Sequence, residues 1–213
     1  MSAKYRNYSG TVFRLIVERP PAWEYLLFST ALEERITSLA DQKRDWIYGI
    51  AHGPSVHKTP REFPKWMHGK LSEASRIGEN AGRVIREVLP AALGPPGVGG
   101  DPEAILHAAN RLSAAYGSAL EWKLDFYRLD LHPEFDKVRA ISSSFCDNMV
   151  AEIETFSHSL NSAIEKAETD RKAGRPATVG LTLTLTIPKV LDQLEEELGR
   201  VSAMIKAGEI DLD

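Results

Sequence analysis

The sequence predicts a mainly α protein: an antiparallel bundle of four long helices carrying a small two-stranded β element and a C-terminal helix. Three observations lead there. Apolar residues recur at three- and four-residue steps through four long segments, the signature of helices with one buried face. Glycine- and proline-rich stretches at 53–64 and 94–100 separate those segments as breaks. Two short runs read as strands: TVFRLIVE at 11–18, which is β-branched and apolar, and VGLTLTLTIP at 179–188, which alternates with a period of two.

The first strand, 11–18, places Phe13, Leu15 and Val17 on one face and stops before Pro20 and Pro21. The first helix, 22–50, carries Tyr25, Phe28, Leu32, Ile36, Leu39, Trp46 and Ile50 on one stripe and ends at Gly53-Pro54. Residues 53–64, GPSVHKTPREFP, hold three prolines and read as a loop. The second helix, 65–93, is lined by Met67, Leu71, Ala74, Ile77, Ala81, Val84, Val88 and Ala92. Gly78 and Gly82 sit one turn apart on it, as a close helix crossing requires.

After GPPGVGG, the order Asp101-Pro102-Glu103 supplies a side-chain cap, a proline in the first turn and an acid facing the helix dipole. The third helix, 102–131, steps through Ile105, Ala108, Leu112, Ala115, Ala119, Trp122, Phe126 and Leu129 by alternate threes and fours, a bundle seam. His132-Pro133-Glu134 repeats the start signal, and the fourth helix, 133–171, has a face from Phe135 to Ala167 whose spacing over Phe145 to Ala167 is close to the helical period. Residues 172–178 form a linker. The second strand, 180–187, puts Leu181, Leu183 and Leu185 on one face and the threonines on the other. The last helix, 188–206, has a narrow stripe of Leu191, Leu194, Leu198, Val201 and Ile205 beside Glu195, Glu196 and Glu197.

A strand left alone has unpaired amides and carbonyls, so 180–187 needs a partner. Either 11–18 pairs with it in the same chain, or a second copy does; the two solutions stay open here. Edge pairing, together with a narrow last stripe that suits one neighbouring helix, predicts a homodimer assembled through Leu181, Leu183, Leu185, Leu191, Leu194, Leu198, Val201 and Ile205.

With 43% apolar and 26% charged residues, the 213-residue chain has the composition of a soluble folded protein and the length to bury a core. A net charge of -4 gives no global field to attract nucleic acid or an anionic membrane, so nucleic acid could bind only through the local basic loop 57–70. Cys146 is the single cysteine, which fits a reducing compartment and a small buried hydrophobe among Phe145 and Met149. MSAKYRNYSG is not followed by an apolar h-region, and no run approaches the length of a bilayer span; a cytoplasmic protein is expected.

Gly94 to Gly99, GPPGVG, resembles the phosphate loop of the AAA-type ATPases. It departs where that loop needs lysine and a hydroxyl, because Gly100 and Asp101 stand there, and it follows a helix rather than a strand. A connection between helices is the reading. His52, His57 and His68 fall close together but lack metal-ligand spacing, and Glu103/His107 and Glu154/His158 are i, i+4 pairs rather than the i, i+3 of di-iron bundles. Glu121 and Asp125, with Arg128 after them, read as an exposed ion-paired face, and Ser142-Ser143-Ser144 as a narrow crossing point. No cofactor and no metal is called for.

The segment HKTPREFPKWMHGK, 57–70, interleaves Lys58, Arg61, Lys65 and Lys70 with Phe63 and Trp66, a composition suited to gripping a partner or a phosphate backbone. Six residues separate Arg61 from His68, which is similar to the Arg-x4-6-His motif of the HEPN family, helical-bundle ribonucleases that work as dimers. That resemblance implies that His68 would move the 2'-hydroxyl proton while Arg61 stabilises charge on the phosphate. Long regular apolar faces beside sparse polar constellations rank another function first. It is a non-enzymatic, self-associating module that binds a protein partner through Lys58, Arg61, Lys65, Trp66 and Lys70. Its acidic C-terminal segment, with Asp192, Glu195, Glu196, Glu197, Glu209, Asp211 and Asp213, presents charge to a partner. The ribonuclease, and a metal- or ligand-binding bundle at His52, His57 and His68, are the alternatives.

Overall fold

Prolines and glycines divide the chain where its apolar periodicity breaks. The computed structural model describes residues 12–17, 23–51, 56–94, 98–175, 179–184 and 187–210. Its elements are β1 (Val12–Val17), α1 (Trp23–Ala51), β2 (Val56–His57) and α2 (Glu62–Arg83). A π-helical turn (Val84–Val88), α3 (Leu89–Leu93) and α4 (Pro102–Tyr127) follow. Then come β3 (Leu129–Asp130), a 3-10 turn (Pro133–Phe135), α5 (Asp136–Lys172), β4 (Val179–Thr184) and α6 (Ile187–Ala207). The protein is mainly α, as its periodicity predicts.

The second helix is three pieces in one line, because Pro90 has no N–H to donate and its ring crowds the carbonyl four residues back. The widened turn before it absorbs that conflict: the Leu89 N–H reaches Val84 O instead. At the next break Asp101 caps α4 as expected, its side chain accepting from Glu103 N at 3.0 Å.

Contacts between the long helices give their directions. Gly100 N donates to Glu24 Oε1, and Leu39 packs over Gly117, so α1 and α4 run parallel side by side. Lys70 meets Asp125 while Ile77 and Asn80 face Arg111 and Ala114, so α2 is antiparallel to α4. Tyr116 donates to Glu154 and Lys123 pairs with Asp147, so α5 is antiparallel to α4 as well. Consecutive long helices thus alternate in direction, with α4 flanked by α1, α2 and α5. That central position is why α4 buries Ala109, Tyr116 and Leu120 in addition to its seam of Ile105, Leu112 and Trp122.

β1 pairs antiparallel with β4 in the same chain, Val12 opposite Thr184 and Val17 opposite Val179. This is the intrachain one of the two solutions left open by the sequence; β4 lies along α5 and β1 along the π-helical turn. Leu185 lies outside the described residues.

Two expected boundaries are corrected. The third helix ends at Tyr127, not near 131, because Leu129–Asp130 pairs parallel with Val56–His57; Val56 N donates to Arg128 O at 2.7 Å and Arg139 Nη2 to Leu129 O at 2.7 Å. The second helix starts at Glu62, not 65, so the expected loop 53–64 holds a strand and a helix start. Thr59 and Glu62 form a reciprocal cap, Glu62 N to Thr59 Oγ1 at 3.3 Å and Thr59 N to Glu62 Oε2 at 3.2 Å, and Pro64 falls in the first turn where an N–H has no intrahelical acceptor.

Helix α6 spends its stripe inside the chain: Leu191, Leu194, Leu198 and Val201 are buried, and α6 packs on α2 and α5. Glu197 fastens it, accepting from Lys137 Nζ at 2.5 Å and Arg200 Nε at 2.7 Å. Burial would raise the Glu197 carboxyl, but the hydrogen bonds from Lys137 and Arg200 outweigh it and hold its pKa below the ordinary carboxylate value. A depressed pKa contributes stability that is present above that ordinary value and lost as pH falls through the folded one. Thermal melts from neutral to acid pH should therefore show a larger loss for the native chain than for Glu197→Gln, the two converging in acid; parallel curves would remove Glu197 from the acid response.

Candidate functional site

The basic segment that the sequence singles out is only partly available for binding. Trp66 is half-buried in an aromatic cluster, its ring 5.7 Å from Phe63 and 5.2 Å from Phe126. Lys70 sits 5.8 Å from the Trp66 ring centre and bonds Glu73 Oε2 at 2.9 Å and Asp125 Oδ2 at 2.5 Å. Burial alone would depress the Lys70 ammonium; its bonds to Asp125 and Glu73 hold the pKa above the usual lysine value. Asp125 therefore pairs with Lys70 rather than with Arg128. Arg61, Lys65 and His68 are exposed and Lys58 is half-exposed, all held in place by the β2–β3 pairing and the Thr59–Glu62 cap. Arg61 and His68 share a face of the first turns of α2, about 10 Å apart along the axis.

The remaining candidates are absorbed by structure. His57 Nδ1 lies 3.4 Å from Asp130, His132 Nδ1 accepts from Glu134 N, and His52 lies outside the described residues. No group of three or more metal-ligating side chains occurs among the described residues. Glu154 accepts from the Tyr116 hydroxyl at 2.6 Å, and burial followed by that bond pushes the Tyr116 pKa up. The Cys146 thiol is buried, and that burial, with Asp147 nearby, pushes its pKa up, the reverse of a nucleophile's need. Ser142 donates to Val138 O at 2.8 Å. In the glycine-rich connection the Gly100 amide, which a phosphate loop would offer to its ligand, is taken by the buried carboxylate of Glu24 at 3.2 Å. No described helix is long and apolar enough to cross a membrane.

A surface that the sequence reading missed lies over α4. Helices α1 and α2 pack on opposite flanks of α4, and between them the small residues Ala114 and Ser118 floor an open trough. Its α1 side is a recess of about 460 Å³ walled by Arg35, Leu39 and Gln42 against Asn110 and Glu121. Its α2 side is a recess of about 210 Å³ walled by Arg76, Asn80 and Arg111. None of Arg35, Arg76 and Arg111 is in an ion pair with a described residue. The one carboxylate lining either part is Glu121.

Directly beside the trough, sharing Ser38 and Gln42 with it, the outer face of α1 presents Glu33, Glu34, Asp41 and Asp45. Asn161 donates to Glu33 at 2.7 Å and Arg44 pairs with Asp41, which leaves the flank acidic. From Glu33 to Asp45 it runs about 18 Å, and the trough from Asn110 to Glu121 about 16 Å. Alternation of polar and apolar residues marks each helix face, but nothing local in the chain reveals that α1 and α2 straddle α4. That arrangement alone gathers the three arginines. Comparison with protein-family models, curated proteins and solved structures finds no match.

Proposed function

We propose that this chain is a non-enzymatic, self-associating helical interaction module, in which a second copy lays its acidic α1 flank into the trough over α4. The observation that carries the reading is the adjacency of opposite charge on one face: Glu33, Glu34, Asp41 and Asp45 beside Arg35, Arg76 and Arg111. A face built this way is self-complementary under a two-fold axis, since each acidic flank then meets the other copy's arginines. The similar lengths of flank and trough suit that docking. The α6 stripe is consumed inside the chain, so this face takes over the assembly role that the sequence analysis gave to Leu191, Leu194, Leu198 and Val201. The exposed charges make association weaken as salt rises.

Two variants test it. Glu34→Lys with Asp45→Lys reverses two of the four flank carboxylates, and Arg35→Glu with Arg111→Glu reverses two of the three trough arginines. By sedimentation velocity the native chain should form a salt-sensitive dimer, each variant alone should be monomeric, and their equimolar mixture should dimerise again. Arg61→Ala and His68→Ala, outside this face, should leave the dimer intact. A native monomer at every concentration reached, or variants that dimerise alone, would reject the reading.

A further inference from the structure

The α2 side of the trough has a chemical character that docking of a helix does not require. Arg76 and Asn80 of α2 face Arg111 and Ser118 of α4 around the recess of about 210 Å³, with Ile77 and Ala115 supplying its apolar wall. No carboxylate lines it, and neither guanidinium is in an ion pair with a described residue. Asn80 Oδ1 accepts from Arg83 Nη2 at 3.2 Å, so the amide oxygen is used and its NH₂ is the group left over. Every polar side chain around the recess can therefore donate: two planar guanidinium groups from two helices, an amide and a hydroxyl.

We infer that this recess binds a phosphoryl oxyanion, free phosphate or the terminal phosphate of a small molecule. Arg76 and Arg111, neither in an ion pair with a described residue, line one recess and give it a positive potential that favours an anion, and the fold places them there on helices held by their own apolar seams. Donors on both walls suit the three or four oxygens of a phosphoryl group better than the two coplanar oxygens of a carboxylate. The volume admits a phosphate with a small attached body but no extended polymer. Glu79 stands on the same helix outside the lining, so no fixed negative charge competes within the recess. Its walls are α2 and α4 of one chain, so each copy carries the whole site; a docked acidic flank competes with the phosphoryl group for Arg76 and Arg111, and phosphate is expected to weaken the dimer.

Isothermal titration of the full chain at low ionic strength, with inorganic phosphate, pyrophosphate and succinate as probes, tests this. The expected result is saturable binding of pyrophosphate at one per chain, with phosphate weaker and succinate weakest. Arg76→Gln and Arg111→Gln should each lower affinity roughly tenfold or more, the scale of a lost hydrogen bond to a charged group. Lys166→Gln, exposed on α5 and outside the recess, should not, and circular dichroism spectra of all three variants should stay native. Pyrophosphate bound as tightly by Arg61→Ala, at the start of α2, as by the native chain, but more weakly by Arg76→Gln, would support the recess over the basic segment. Absence of saturable binding by either phosphate probe would overturn the proposal. So would an equal loss in Lys166→Gln, or succinate binding as tightly as pyrophosphate.

Discussion

Replacing Trp122 by alanine should cost about 3–5 kcal/mol, the largest single-residue loss in the chain and a sizeable share of the roughly 5–15 kcal/mol that holds a typical domain folded. Trp122 is fully buried on α4, the helix that α1, α2 and α5 all contact. Its ring meets Phe145 edge-on at 4.7 Å and Phe126 at 5.4 Å, so truncation opens a cavity bounded by two helices and removes both aromatic contacts. Its Nε1 has no hydrogen-bond partner among the described residues. Trp122→Phe therefore deletes a buried, unpaired donor along with part of the ring, and should cost far less than the alanine change. Urea unfolding followed by far-ultraviolet circular dichroism checks both. A loss below about 1 kcal/mol for alanine, within the range of surface changes, would mean that the ring is not in the core.

The contrast between what could and could not be read from the chain has a physical origin in the range of each interaction. The α4 seam is local: Ile105 to Phe126 repeat at helical steps, and every one of the seven residues named on it up to Phe126 is buried. Asp101 was legible because a cap acts on an amide two residues away. The Thr59–Glu62 cap is equally local but was hidden by Pro60 and Pro64, which read as breakers when both in fact fit a helix start. The β2–β3 pairing was out of reach for a different reason: each strand has two residues, too few for any alternation, and their pairing joins positions more than seventy residues apart. At the candidate surface the same division holds. Trp66 and Lys70 carry the composition of a binding loop, yet Phe126 and Asp125, distant in sequence, claim them. Arg35, Arg76 and Arg111 have no common sequence signal, because they meet only through the parallel packing of α1 on α4 and the antiparallel packing of α2.

Gly94→Ala should be the most damaging change outside the core, at about 3 kcal/mol, because two independent penalties coincide there. Gly94 ends α3 with φ 66° and ψ 175°, a conformation that L side chains rarely adopt. A Cβ at this position would also lie 2.9 Å from the carbonyl oxygen of Gly99, which is backbone and cannot swing aside. Relief would require moving the connection that delivers Gly100 N to Glu24 and Asp101 N to Ala92 O, and with it the cap of α4 against α1. Gly174 isolates the first penalty: its φ is 69°, and a Cβ there meets nothing within 4 Å. Gly174→Ala should therefore cost about 1 kcal/mol, the conformational part alone. At roughly 2–4 °C per kcal/mol for a chain of this size, the two melting temperatures should fall by about 6–12 °C and 2–4 °C. Equal shifts would show that the Gly99 carbonyl yields freely, and that the connection does not fix the start of α4.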